Sequence, residues 1–92
     1  MTNFFFYDYF KNIENLNKIN INYSFNEAEY INYNEKIKGI IVYFESNLHN
    51  VLKNINKINE KEKFSNKDKY KVEEIYVKNK NNNKFIKSWV LH

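Results

Sequence analysis

Lys53, Lys57 and Lys61 recur at four-residue spacing, which lines up three ammonium groups along one side of any helix that carries them. A stripe of this kind does electrostatic work. It attracts phosphate or carboxylate without fixing either, because lysine is a point charge and lacks the planar fork of arginine. The chain has no arginine at all. Lys63, Lys67, Lys69 and Lys71 extend the basic stretch and Glu60 and Glu62 dilute it, so an ordinary solvated helix face has the same pattern. The second set of candidates is aromatic. Among Tyr30, Tyr33, Tyr43, Tyr70, Tyr76 and Trp89, some must lie on the side of a sheet turned away from its helices. Tyr and Trp anchor protein interfaces and stack on nucleobases, although a small domain also needs large side chains for its core. Tyr30, Tyr33, Tyr76 and Trp89 therefore join Lys53, Lys57 and Lys61 as the expected contact residues.

Covalent chemistry has little to work with. His49 and His92 are the only histidines, cysteine is absent, and Ser24, Ser46, Ser65 and Ser88 have no nearby His–acid spacing. The acid pairs Glu73-Glu74 and Glu60/Glu62 read as solvated. A metal site wants clustered His, Cys or carboxylate donors, and a phosphate-cradling loop wants several glycines, whereas Gly39 stands alone. The expectation is a protein that is not an enzyme, with no catalytic residue, metal or cofactor.

The elements that would position the candidates are organised around residues 37–62. Ile40, Ile41, Val42, Tyr43 and Phe44 form a continuous run of β-branched and aromatic residues, which predicts a strand buried on both faces. Ser46 is placed to cap a helix from 47 to about 61, whose apolar stripe is Leu48, Val51, Leu52, Ile55 and Ile58. Residues 4–17 fit a second helix through Phe6, Tyr9, Phe10, Ile13 and Leu16, with a strand over 4–10 as the competing reading. The alternation of Ile19, Ile21, Tyr23 and Phe25 with Asn20, Asn22 and Ser24 predicts a half-buried strand over 19–25. A tight turn at Asn26-Glu27 then leads to a strand over 28–34. The last third predicts a hairpin, 70–77 with 84–91, around an Asn-rich loop at 79–83 and with a bulge near Glu73-Glu74. The order is α-β-β-β-α-β-β. This predicts an α+β fold: one small domain over residues 1–92, with an antiparallel sheet of about five strands and both helices on one face.

Composition adds a different kind of signal. Asn, Lys, Ile, Tyr and Phe make up about two thirds of the chain, while Arg, Gln, Pro and Cys are missing. The favoured residues have AT-rich codons, so the gene reads as one from an AT-rich genome, and many of the asparagines read as codon drift on the surface. Charge is uneven: residues 1–50 hold four lysines against six acids, and the remainder eleven against five. Such a balance suggests an acidic partner or nucleic acid near the C-terminal half. No targeting or membrane-spanning segment is evident, which makes a cytoplasmic setting, with no membrane partner, the default.

The order of elements over residues 4–62 resembles that of the double-stranded-RNA-binding domain. That family has a Gly- and Lys-rich approach to its second helix, where this chain has Glu45-Ser46-Asn47-Leu48-His49, so no family is assigned. In overall profile (small, basic, Tyr- and Lys-rich, without reactive residues) the chain is similar to the small inhibitors encoded by phages and mobile elements, anti-CRISPR proteins among them. That similarity implies a non-catalytic binding protein docked on a larger host protein or ribonucleoprotein. A lysine-driven nucleic-acid-binding protein, such as a ribosomal or organellar ribonucleoprotein component, is the alternative expectation.

Overall fold

Ile40, Ile41 and Val42 are completely buried, as a strand covered on both faces requires. The computed structural model describes residues 1–7, 16–61 and 72–91, with side chains up to residue 56 in the helix and residue 90 in the last strand. Its elements are β1 (Thr2–Phe6), β2 (Tyr23–Asn32), β3 (Glu35–Phe44), α1 (Leu48–Lys61), β4 (Val72–Asn79) and β5 (Lys84–Leu91). The strands close into a barrel in the order β1-β3-β2-β4-β5. Every neighbouring pair is antiparallel except the closing one, where β5 runs parallel to β1 and Phe4 meets Trp89 at a single paired position.

Because side chains alternate along a strand, the central strand β3 feeds two separate cores. Ile40, Val42 and Phe44 point outward beneath α1 and pack with Val51 and Ile55 of the helix and with Phe4, Leu16 and Ile19. Ile41 points inward and joins Phe5, Ala28, Ile75, Val77 and Val90 in the barrel interior. The predicted unit of central strand plus helix is therefore present, but the sheet curls until its far side becomes an enclosed core. Gly39 helps it close. A Cβ there would lie 2.2 Å from the Phe6 carbonyl oxygen and 2.9 Å from the Phe5 ring, so the missing side chain is what lets β1 and the Phe5 ring come so close. Ala28, itself buried, is paired opposite Gly39.

The helix begins one residue later than Ser46 would set it. Asn47 is the cap: its Oδ1 accepts the Asn50 backbone N–H at 2.8 Å, satisfying one of the free donors of the first turn. Ser46 serves the same junction differently. Its Oγ accepts from Asn50 Nδ2 at 2.7 Å and its carbonyl accepts from the buried Thr2 hydroxyl at 2.7 Å.

Three further expectations are corrected. The two-helix α+β arrangement gives way to a mostly β barrel with one helix among the described residues. The helix expected over 4–17 does not hold at its start, because Phe4, Phe5 and Phe6 form β1, each with its own place. Phe4 and Phe6 sit on the helix side with ring centroids 5.8 Å apart, while Phe5 enters the barrel. A period of two serves two cores at once, which one helical stripe cannot do. Tyr9, Phe10 and Ile13 lie outside the described residues, as do Phe64, Tyr70, His92 and the lysines at 63, 67, 69 and 71.

Next, the strands expected at 19–25 and 28–34 are one strand, β2, beginning at Tyr23. Asn26 and Glu27 stay in the ladder opposite Ile41 and Ile40, and the chain reverses at Tyr33-Asn34. Ile19 and Ile21 still reach the core under the helix, but from irregular backbone. Finally, β4 and β5 pair without interruption from Val72–Leu91 to Asn79–Lys84, so there is no bulge at Glu73-Glu74. Asn83, with φ of 58°, takes the left-handed conformation expected of an asparagine in that turn.

Candidate functional site

The helix covers only part of the barrel's outer surface. Register decides what the rest displays. Glu29 pairs with Lys38 on one side and Lys78 on the other, and Lys78 pairs with Phe85, so these side chains cross the outer face of β3, β2, β4 and β5 in one row. Tyr76 and Lys87 form the adjoining pair of the β4–β5 hairpin. The result is a small checkerboard in which an aromatic ring stands opposite a lysine on both rows. Tyr76 is 63% and Phe85 60% exposed, and neither ring stacks on another aromatic among the described residues. Directly opposed outer residues lie about 5 Å apart and diagonal ones roughly 7–8 Å, so each ring sits within a cation's reach.

The charges on this face are only partly matched. Lys80 pairs with Glu29 at 3.1 Å and Lys87 with Glu74 at 2.5 Å. Lys36, Lys38 and Lys78 form no ion pair among the described residues. The hydrogen bond from Lys80 holds the Glu29 carboxyl below the usual glutamate range, against the opposing effect of partial burial. The charges of Lys80, Lys36 and Lys78 lower it further. Glu29 is thus an anion set among three lysines, and the field around it is positive.

The expected contact residues separate into groups. Tyr76 lies on the checkerboard. Tyr33 stands at the tip of the β2–β3 hairpin, 96% exposed, with a φ of 54° that a bulky residue rarely adopts. Tyr30 is half-buried and packs on the interior core with its ring centroid 6.5 Å from that of Phe5. Trp89 is half-buried against the core under the helix. Lys53 is exposed on α1; Lys57 and Lys61 fall within α1, but their side chains are not among those described. The structure therefore brings Tyr76 together with Phe85, Lys78 and Lys87, which the sequence reading did not single out. The signal was present: from Ile75 onward β4 alternates strictly, and Phe85-Ile86-Lys87 alternates in step with it.

A second polar constellation lies at one end of the barrel. Asn79 is buried, donates through Nδ2 to the Tyr43 hydroxyl at 2.8 Å and to Asn26 Oδ1 at 3.2 Å, and accepts from the Asn81 backbone N–H at 2.8 Å. All its partners are neutral and satisfied, which is how a buried amide must be accommodated; the cluster fixes the turn and offers no reactive group. His49 is exposed in the first turn of α1, and among the described residues no group of three His, Cys, Asp or Glu could hold a metal ion. No described helix is long and apolar enough to cross a membrane. No protein-family model matches the chain, and no curated protein or solved structure is similar to it at a significant level.

Proposed function

We propose that this chain is a non-catalytic binding protein that acts by covering a surface of a larger partner, in the manner of a small inhibitor docked on a host protein or ribonucleoprotein. The contact surface is the outer face of β4 and β5 with the adjoining part of β2 and β3. One observation carries the reading: Tyr76 and Phe85 stand exposed side by side, each opposite a lysine, on the part of the barrel that α1 leaves uncovered. Rings this exposed bury little of their area in the fold, and clustered rings beside cations are what binding surfaces use as anchors. The AT-rich, arginine-free composition supports a phage or mobile-element origin, as the sequence profile suggests.

The test is affinity capture from host lysate with three versions of the protein: wild type, a Tyr76→Ala/Phe85→Ala variant, and Lys53→Glu. A partner retained by wild type and Lys53→Glu but lost by the double variant supports the outer face. Equal retention by all three removes it.

A further inference from the structure

We infer that the occupant of this face is a single-stranded nucleic acid, bound without sequence preference by stacking two bases on Tyr76 and Phe85 while Lys78, Lys87, Lys36 and Lys38 hold the phosphates. The inference rests on the proposal that the outer face is the contact surface and, of the two kinds of partner proposed there, takes the ribonucleoprotein, with its nucleic-acid strand as what fills the face. Complementarity of charge comes first. Lys36, Lys38 and Lys78, none of which forms an ion pair among the described residues, lie on this face, where Glu29 is engaged by Lys80 and Glu74 by Lys87, and Glu27 is a further, exposed carboxylate that the register places there. A polyanion is drawn to such a field, and nucleobases supply the flat faces on which both exposed rings can stack.

The spacing of the rings then chooses the form of nucleic acid. Tyr76 and Phe85 are diagonal neighbours on adjacent strands, roughly 7–8 Å apart, about twice the 3.4 Å rise per nucleotide of a stacked strand. Adjacent bases reach both rings only when they are unstacked from one another. In a duplex the bases already cover each other's faces, so neither ring has a partner there. Single strands offer free faces, and stacking tolerates any base. The absence of arginine fits the same picture, since lysine binds phosphate as a point charge and cannot make the bidentate contact that reads guanine.

Fluorescence anisotropy of purified protein with labelled oligo-dT and oligo-U, beside a duplex of the same length, tests this. The expected result is binding to both single strands and much weaker binding to the duplex. Affinity should fall steeply between about 50 and 200 mM salt, with a log–log slope near −3 if four phosphates are engaged. Tyr76→Ala and Phe85→Ala should each weaken binding about tenfold or more, whereas Tyr76→Phe should keep it. Lys78→Glu/Lys87→Glu should abolish it and Lys53→Glu, off the face, should leave it nearly unchanged. All substituted side chains except Lys78 are well exposed, and circular dichroism of each variant reports that the fold is intact. Absence of oligonucleotide binding, duplex binding equal to single-strand binding, or indifference to the ring substitutions overturns the inference. If a nuclease-resistant protein partner is still lost on Tyr76→Ala/Phe85→Ala, the outer face survives as a binding surface and only its occupant is wrong. Capture and oligonucleotide binding that both ignore the face defeat the two together.

Discussion

Two single residues sit where space or backbone conformation is tightly constrained. Gly39 is one, because an added methyl must move both the Phe6 carbonyl and the Phe5 ring, and the first is backbone in a paired strand. Gly39→Ala is expected to cost about 1–3 kcal/mol through overpacking, read as a lower midpoint with unchanged slope in a denaturant titration. An unchanged midpoint would mean that β1 does not press on β3 as described. Tyr33 is the other. Its left-handed φ of 54° costs roughly 1–2 kcal/mol for an ordinary L-residue, and its ring buries nothing in return. Tyr33→Asn substitutes a side chain that tolerates this region, so thermal melting should show equal or higher stability. A clear loss would show that the ring makes contacts for the fold. Strain retained at an exposed aromatic tip is the pattern expected where function opposes stability. Asparagine shows why residue-scale reading ran out. Asn79, the hydrogen-bonding hub of one barrel end, is one of nineteen asparagines in a chain whose codons favour them. Its role depends on Tyr43 and Asn26 arriving from β3 and β2, and no local pattern reports that.

At the scale of elements, what was legible was whatever a periodicity carries by itself. The doubly buried β3, the helix that follows it and the β4–β5 hairpin all sit within a residue or two of their expected positions. Each has either an unbroken apolar run, an i, i+3, i+4 stripe or a pair of runs flanking an Asn-rich turn. The failures fall where two periods compete. Phe4, Phe5 and Phe6 suit a helix stripe and a strand equally until the second core inside the barrel is known. Asn26-Glu27 looks like a turn until one sees Asn26 directed at Asn79. The candidate site was half legible for the same reason: Tyr76 follows from alternation, while Phe85 becomes its neighbour only once the β4–β5 register is known. The helix face can be tested directly. Val51 is completely buried against Ile40, Val42 and Phe44 whereas Lys53 is exposed. Val51→Ala should therefore cost about 1–3 kcal/mol, the range for losing a buried valine's methyl groups with the cavity they leave. Lys53→Ala should change stability by no more than about 0.5 kcal/mol. Equal losses in urea unfolding would mean the apolar stripe of α1 faces elsewhere.

For the whole molecule, the closed barrel conceals an unequal distribution of backbone ties. β3 is paired along its entire length with β2 and along all of β1. β4 and β5 are fully paired with each other, yet among the described residues they join the rest at two ladder positions beside β2, Ala28–Asn79 and Glu29–Lys78, with the Lys80 backbone N–H donating to the Glu27 carbonyl at 2.9 Å, and at one beside β1. Side chains reinforce those two seams: Asn3 Nδ2 reaches the Lys87 carbonyl at 3.3 Å, and Lys80 pairs with Glu29. Ile75, Val77 and Val90 add apolar burial inside the barrel. These ties are fewer than the ladder that holds β1, β2 and β3 together, so the barrel should open along both seams at once and release the β4–β5 hairpin as one unit. Regions of a fold open with free energies that range from near zero to the global value, in cooperative pieces that follow supersecondary units. Native-state hydrogen exchange should accordingly find Ile40, Ile41 and Val42 exchanging only through global unfolding. The amides of β4 and β5 should share a lower free energy with one common denaturant dependence. Since the proposed contact face is carried mostly by that hairpin, an oligonucleotide bound across it and β2 should raise β4–β5 protection selectively and leave β3 unchanged. Uniform protection of all five strands in the free protein would refute the two-seam reading, because it would require the single Phe4–Trp89 pairing to tie β5 to the barrel as firmly as a full ladder does.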